Sequence, residues 1–136
     1  MRFFHNFFWL AEQAVGFLFY IWPVTFALLL FIAITGIITF FGQKKEFRFK
    51  SLLGLLALIF PVLILVWGTT FERQTGTIFI SILGGLLYFG QIPVGALLVY
   101  LASGYRWFVF AQIVFGAWVS LNAMFLAAMS ITGDWI

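Results

Sequence analysis

The chain has no cysteine, one histidine, three prolines and four acidic residues in 136 positions. Without cysteine there is no disulfide, no thiolate metal site and no thiol nucleophile. The single His5 cannot build a bis-histidine haem site, and no cluster of His, Asp and Glu has the spacing of a zinc or iron centre. Charge is scarcer still: 8% of residues are charged against 65% hydrophobic, and the mean hydropathy is +1.17. A soluble domain carries about 25% charged residues, so this composition cannot cover a surface that faces water. That excludes a soluble globular domain; the surface must meet lipid. Four spans of roughly 20 residues would use most of the length and leave no room for a soluble catalytic domain.

What is present is a series of long apolar runs. Residues 17–41, 51–70, 77–104 and 108–132 form four of them, separated by the hydrophilic stretches 42–50 (GQKKEFRFK), 71–76 (FERQTG) and 105–107 (YRW). Each is long enough to cross a hydrocarbon core of about 30 Å as a helix. The expectation is an all-α polytopic integral membrane protein, an antiparallel four-helix transmembrane bundle forming one domain over 1–136. Pro23 lies near the start of the first run, where proline is tolerated, whereas Pro61 and Pro93 predict kinks in the second and third. Residues 2–16 mix Phe3, Phe4, Phe7, Phe8, Trp9 and Leu10 with His5, Asn6, Glu12 and Gln13. This pattern reads as an amphipathic helix lying in the membrane interface, retained at the N-terminus because no small-residue cleavage site follows it. A single bent helix from Phe3 to Phe41 is the alternative.

The seven basic residues outnumber the acids by three and set the orientation. Lys44, Lys45, Arg48, Lys50 and Arg106 fall on one side of a four-span bundle, Arg2 and Arg73 on the other. The excess of positive charge marks the cytoplasmic face, so both termini are expected on the non-cytoplasmic side of a bacterial inner (plasma) membrane. Tyr20, Trp22, Trp67, Tyr105, Trp107 and Trp135 stand near run ends, where amphipathic rings prefer headgroup depth. A topology signal accounts for the basic cluster without nucleic acid. The same cluster makes Lys44, Lys45, Arg48 and Lys50 the candidate contacts for anionic lipid headgroups.

Between Ser51 and Gly133 the only charges are Glu72, Arg73 and Arg106, all in turns. Proton relays, voltage sensors and charge-coupled transporters need ionisable groups within their spans, and these spans have none. No catalytic residue, metal or cofactor is assigned, and the protein is read as a non-enzyme. Helical phase then becomes the informative feature. On the third span Thr77, Ser81, Gly84, Tyr88, Gln91, Gly95 and Ala102 form a small and polar stripe, and on the fourth Gln112, Gly116, Ser120, Ala123, Ala127 and Ser130 share one arc. Gly54, Ala57, Pro61 and Gly68 repeat the theme weakly on the second span, and Thr25, Gly36 and Thr39 on the first. Small residues let membrane helices approach, and amides bond across the contact, so Gln91 and Gln112 are the expected polar anchors. Around Gly84, Gly85, Gly90, Gln91, Pro93 and Gly95, the proline frees the Phe89 carbonyl and opens a possible binding point. Asn122 lies between the packing and lipid arcs and is read as facing a partner.

Twenty phenylalanines exceed what a self-contained bundle requires and point to neighbouring subunits, lipids or pigments. The reading is a non-catalytic accessory subunit of a larger membrane complex, with membrane lipids and other integral membrane subunits as partners. The alternative is a homo-oligomeric channel or carrier for a neutral or weakly polar solute, lined by Gln91, Gln112 and Ser120.

Overall fold

The computed structural model describes residues 2–71 and 78–133. Glu72, Arg73, Thr77, Asp134 and Trp135 therefore lie outside the described residues. Within them every regular element is helical: α1 (Arg2–Tyr20), α2 (Trp22–Gly42), α3 (Phe49–Thr70), α4 (Ile78–Leu101) and α5 (Arg106–Thr132). The last four are long and apolar enough to cross a membrane.

Each proline marks a local departure from α-helical geometry, as its missing N–H requires. Pro23 stands in the first turn of α2, and only Ile21 separates that helix from α1. Two backbone bonds, Ile21 N to Phe17 O at 3.1 Å and Thr25 N to Ile21 O at 3.3 Å, carry the chain through the junction. The Thr25 hydroxyl lies 2.8 Å from the Leu18 carbonyl and serves it where the regular backbone pattern is broken. In α3 the segment Phe49–Leu58 is a 3-10 helix, and α geometry begins at Ile59, which puts Pro61 in the first turn of the α-helical part, where its missing donor costs least. In α4 the helix is interrupted at Gly90, between Ile78–Phe89 and Gln91–Leu101, because Pro93 has no N–H for the Phe89 carbonyl. The α5 helix stops at Gly133, which takes a left-handed φ of 75° and donates to the Met129 carbonyl at 2.8 Å.

The centre of the fold is the pairing of α3 with α5. Ala57 meets Gly116, Gly68 meets Ala127, and Gly54 lies against Gln112 and the Val109 carbonyl. A methyl group at Gly68 would stand 2.5 Å from the Ala127 Cβ, so these backbones approach as closely as they do only because one partner has no side chain. Leu10 and Ala14 of α1 join Ile64, Leu65 and Trp67 of α3, Ile80 of α4, and Ala123, Leu126, Ala127 and Ile131 of α5 in one buried cluster. A smaller cluster of Ala102, Tyr105 and Val109 sits at the end of the fold that bears the basic loop. Along the other side of α5 the aromatic contacts descend in order: Phe17 with Phe125 at 5.5 Å, Trp118 Nε1 donating to Thr25 Oγ1 at 3.1 Å, and Phe40 with Phe108 at 5.3 Å.

Candidate functional site

The polar residues of the spans divide into those satisfied within the fold and those left open. Gln112 is buried, and its Nε2 donates to the Ser51 carbonyl of α3 at 2.9 Å. Ser130 Oγ donates to the Gly68 carbonyl at 3.3 Å. Gly116 abuts Ala57, and Ser120 is fully buried with its hydroxyl unpaired, as are Gln112 Oε1 and Trp67 Nε1. The polar arc of α5 is therefore packed into helix–helix contact. Asn122 corrects the sequence reading: it is 4% exposed and donates to the Trp118 carbonyl one turn back at 2.7 Å, so it faces inward and not toward an external partner.

The stripe on α4 is less uniform than its spacing suggests. Gly84 faces the core, where an added Cβ would lie 2.6 Å from the Trp67 ring, and Gly95 faces Ile113. Tyr88 is half-buried and meets the Phe89 ring edge-on at 5.3 Å. Gly85 has no neighbour within 4 Å of a modest side chain, and Ser81 and Pro93 are exposed. Gln91 differs from all of these. It is 8% exposed, makes no hydrogen bond among the described residues, and lines a lateral groove of about 510 Å³ whose other walls are apolar, among them Gly95, Ile113 and Ala117. No bond joins it to Gln112, whose donor is already committed to Ser51.

A second site lies at the basic end. Lys44 adopts a left-handed φ of 51°, and the following Lys45 turns back onto the protein. Its ammonium donates to the Gly104 carbonyl and stands 5.6 Å over the Tyr105 ring. The Tyr105 hydroxyl in turn donates to the Glu46 carbonyl at 2.6 Å, which ties the 42–48 loop to the start of α5. These contacts enclose a cavity of about 470 Å³ lined by Thr39, Gln43, Lys45, Tyr105, Arg106 and Trp107, among others. Of the four basic residues singled out for lipid, only Lys45 lines it. Lys44, Arg48 and Lys50 are exposed, and the Arg48–Glu46 pair at 3.6 Å is a solvated surface contact of little energetic weight. Arg106 enters the site beside Lys45 although their positions are far apart in the chain; the one sequence signal for it was the extreme shortness of the YRW turn, which forces Arg106 to the very start of a helix. Among the described residues no three His, Cys, Asp or Glu side chains lie close enough to share a metal.

No family model, curated protein or solved structure matches the chain. Function is argued from these two places alone.

Proposed function

We propose that the protein is a non-catalytic accessory subunit that packs against other helices of a membrane complex. The observation that supports this is Gln91. An amide in hydrocarbon must find hydrogen-bond partners, and lipid tails offer none. Here the amide is held nine-tenths buried at the foot of a groove that opens sideways, toward where an adjacent helix would lie. Gly95 and Ala96 in the same groove permit close approach, and a polar side chain from a neighbour would complete Gln91.

The finer architecture belongs to the same proposal. The order of contacts along α5, with Thr25 at Trp118 and Phe40 at Phe108, favours α2 running opposite to α5. Ala57 at Gly116 and Gly68 at Ala127 favour α3 running alongside it. For Arg2–Tyr20 we favour the bent continuation of the first span over a detached interfacial helix, because Leu10 and Ala14 join the main buried cluster. Its outer aromatic residues, Phe4 and Phe8, would then sit at the membrane boundary. Positive charge places the 42–50 loop in the cytoplasm of a bacterium and both termini on the opposite side of the inner membrane.

The homo-oligomeric channel or carrier is the lesser proposal. Gln112 and Ser120 lie against α3 within one copy, so a solute path would have to form between copies at Gln91. Purification in mild detergent separates the two: the subunit reading expects unrelated membrane chains to be retained and lost with Gln91→Leu. A stable homo-oligomer without other chains, leaking solute in liposomes, would overturn it.

A further inference from the structure

The cavity at the basic end holds two cations and no carboxylate: Lys45 and Arg106 line it, while Glu46 points away to Arg48. Two like charges facing one cavity repel unless an anion joins them. Two further features turn this charge into a site. The long helix Arg106–Thr132 begins here with no side-chain cap, so the N–H groups of its first turn present partial positive charge. The Thr39 hydroxyl, on a residue 4% exposed, lines the same cavity and has no hydrogen-bond partner among the described residues. Lys45 is already oriented by the Gly104 carbonyl and the Tyr105 ring, and an ammonium keeps two more N–H donors for a ligand.

We propose that this cavity binds the phosphate of an anionic phospholipid from the leaflet on the basic side. Lys45 and Arg106 supply charge, and Thr39 and the first turn of α5 supply hydrogen bonds. A free phosphate offers the same headgroup chemistry. The lipid is favoured because an apolar groove formed by Val99, Trp107 and Phe110 adjoins the cavity and shares Arg106 and Trp107 with it, which gives an acyl chain a place to lie. The site stands on its own geometry, so its failure would leave the role of Gln91 untouched.

The test uses full-length protein in mild non-ionic detergent, exposed to equal amounts of phosphatidylglycerol and phosphatidylcholine and read by native mass spectrometry. The expected result is one phosphatidylglycerol retained in preference to phosphatidylcholine. Lys45→Gln and Arg106→Gln should each weaken that retention by about tenfold or more, the loss of a hydrogen bond to a charged group. Lys44→Gln and Lys50→Gln should weaken it by at most about fivefold, as for diffuse attraction. Thr39→Val, which keeps shape and charge, should weaken retention several-fold without changing the melting temperature of lipid-free protein. Equal losses for all four charge variants, equal retention of the two lipids, or unchanged retention in Thr39→Val would overturn the site. Inorganic phosphate that displaces phosphatidylglycerol at matched concentration would assign it to free phosphate and overturn the lipid.

Discussion

Replacing Gly68 by alanine measures how much of the fold depends on the closeness of α3 and α5. The new Cβ would lie 2.5 Å from the Ala127 Cβ and 2.7 Å from its Cα. Carbon atoms pack at about 3.5–4.0 Å, so the helices must part locally by about 1 Å. Overpacking of this kind costs about 1–3 kcal/mol. The same separation stretches the 3.3 Å contact from Ser130 Oγ to the Gly68 carbonyl, a type of bond that contributes about 0.6 kcal/mol in membrane proteins. Alanine also favours the helix by up to about 1 kcal/mol over glycine, which masks part of the loss. Gly85→Ala supplies the control, since it gains the same propensity and meets nothing within 4 Å. Both variants would be unfolded reversibly in mixed micelles by rising SDS, followed by tryptophan fluorescence. Gly68→Ala should fall about 2 kcal/mol below Gly85→Ala, and Ala127→Gly added to Gly68→Ala should recover most of the gap. Equal stability of the two single variants would refute the close α3–α5 contact.

Other outcomes follow from single contacts. Thr25→Val removes the group that serves the Leu18 carbonyl and accepts from Trp118, and should cost about 1–2 kcal/mol in the same unfolding assay, with a changed Trp118 emission. Tyr105→Phe deletes the bond to the Glu46 carbonyl and should cost about 1 kcal/mol while speeding proteolysis in the 42–48 loop. Gly104→Ala forces an L-residue to a φ of 90° and should destabilise by about 1–2 kcal/mol, unlike Gly16→Ala, whose added Cβ meets nothing. Because the native chain has no cysteine, single cysteines at Lys44 and at Asn6 can be labelled cleanly from outside intact cells; the orientation argued here expects reaction at Asn6 alone.

The spanning helices and their irregularities were legible because both are local properties of the sequence. Hydropathy over a run decides whether hydrocarbon is tolerated, and a proline decides where the backbone ladder opens, as at Gly90 three residues before Pro93. What could not be read was which faces meet. The small residues of the second span looked weak, since Ile64 and Leu65 interrupt Gly54, Ala57 and Gly68, yet this face packs directly on Gln112, Gly116 and Ala127. Helical phase gives each helix a face without naming the helix it meets. Asn122 escaped for a related reason: its amide bonds one turn back along its own helix, a contact that frees the side chain to be buried where the arc alone left it ambiguous. The grouping of Arg106 with Lys45 and Thr39 depends on the two ends of the chain's hydrophilic turns meeting in space, which spacing does not encode.

The distribution of satisfied polar groups bears on the two functional proposals. Three carbonyls lie at helix ends or irregularities: Leu18 beside the Pro23 junction, Ser51 in the 3-10 turn that opens α3, and Gly68 in the last turn of the same helix. Each meets a side chain: Thr25, itself held by Trp118, at Leu18; Gln112 at Ser51; and Ser130 at Gly68. The polar residues of α5 thus serve the backbone of neighbouring helices, and none of these groups is free to receive a solute. Gln91 is the contrasting case, equally buried yet serving no carbonyl, and set in a groove that opens away from α3. A path for solute would need several such open groups in sequence along the membrane normal. One open amide on a lateral face is what a single contact with an adjacent helix requires, and Gln91→Leu should therefore release a partner chain while leaving the unfolding midpoint of the isolated protein unchanged or raised.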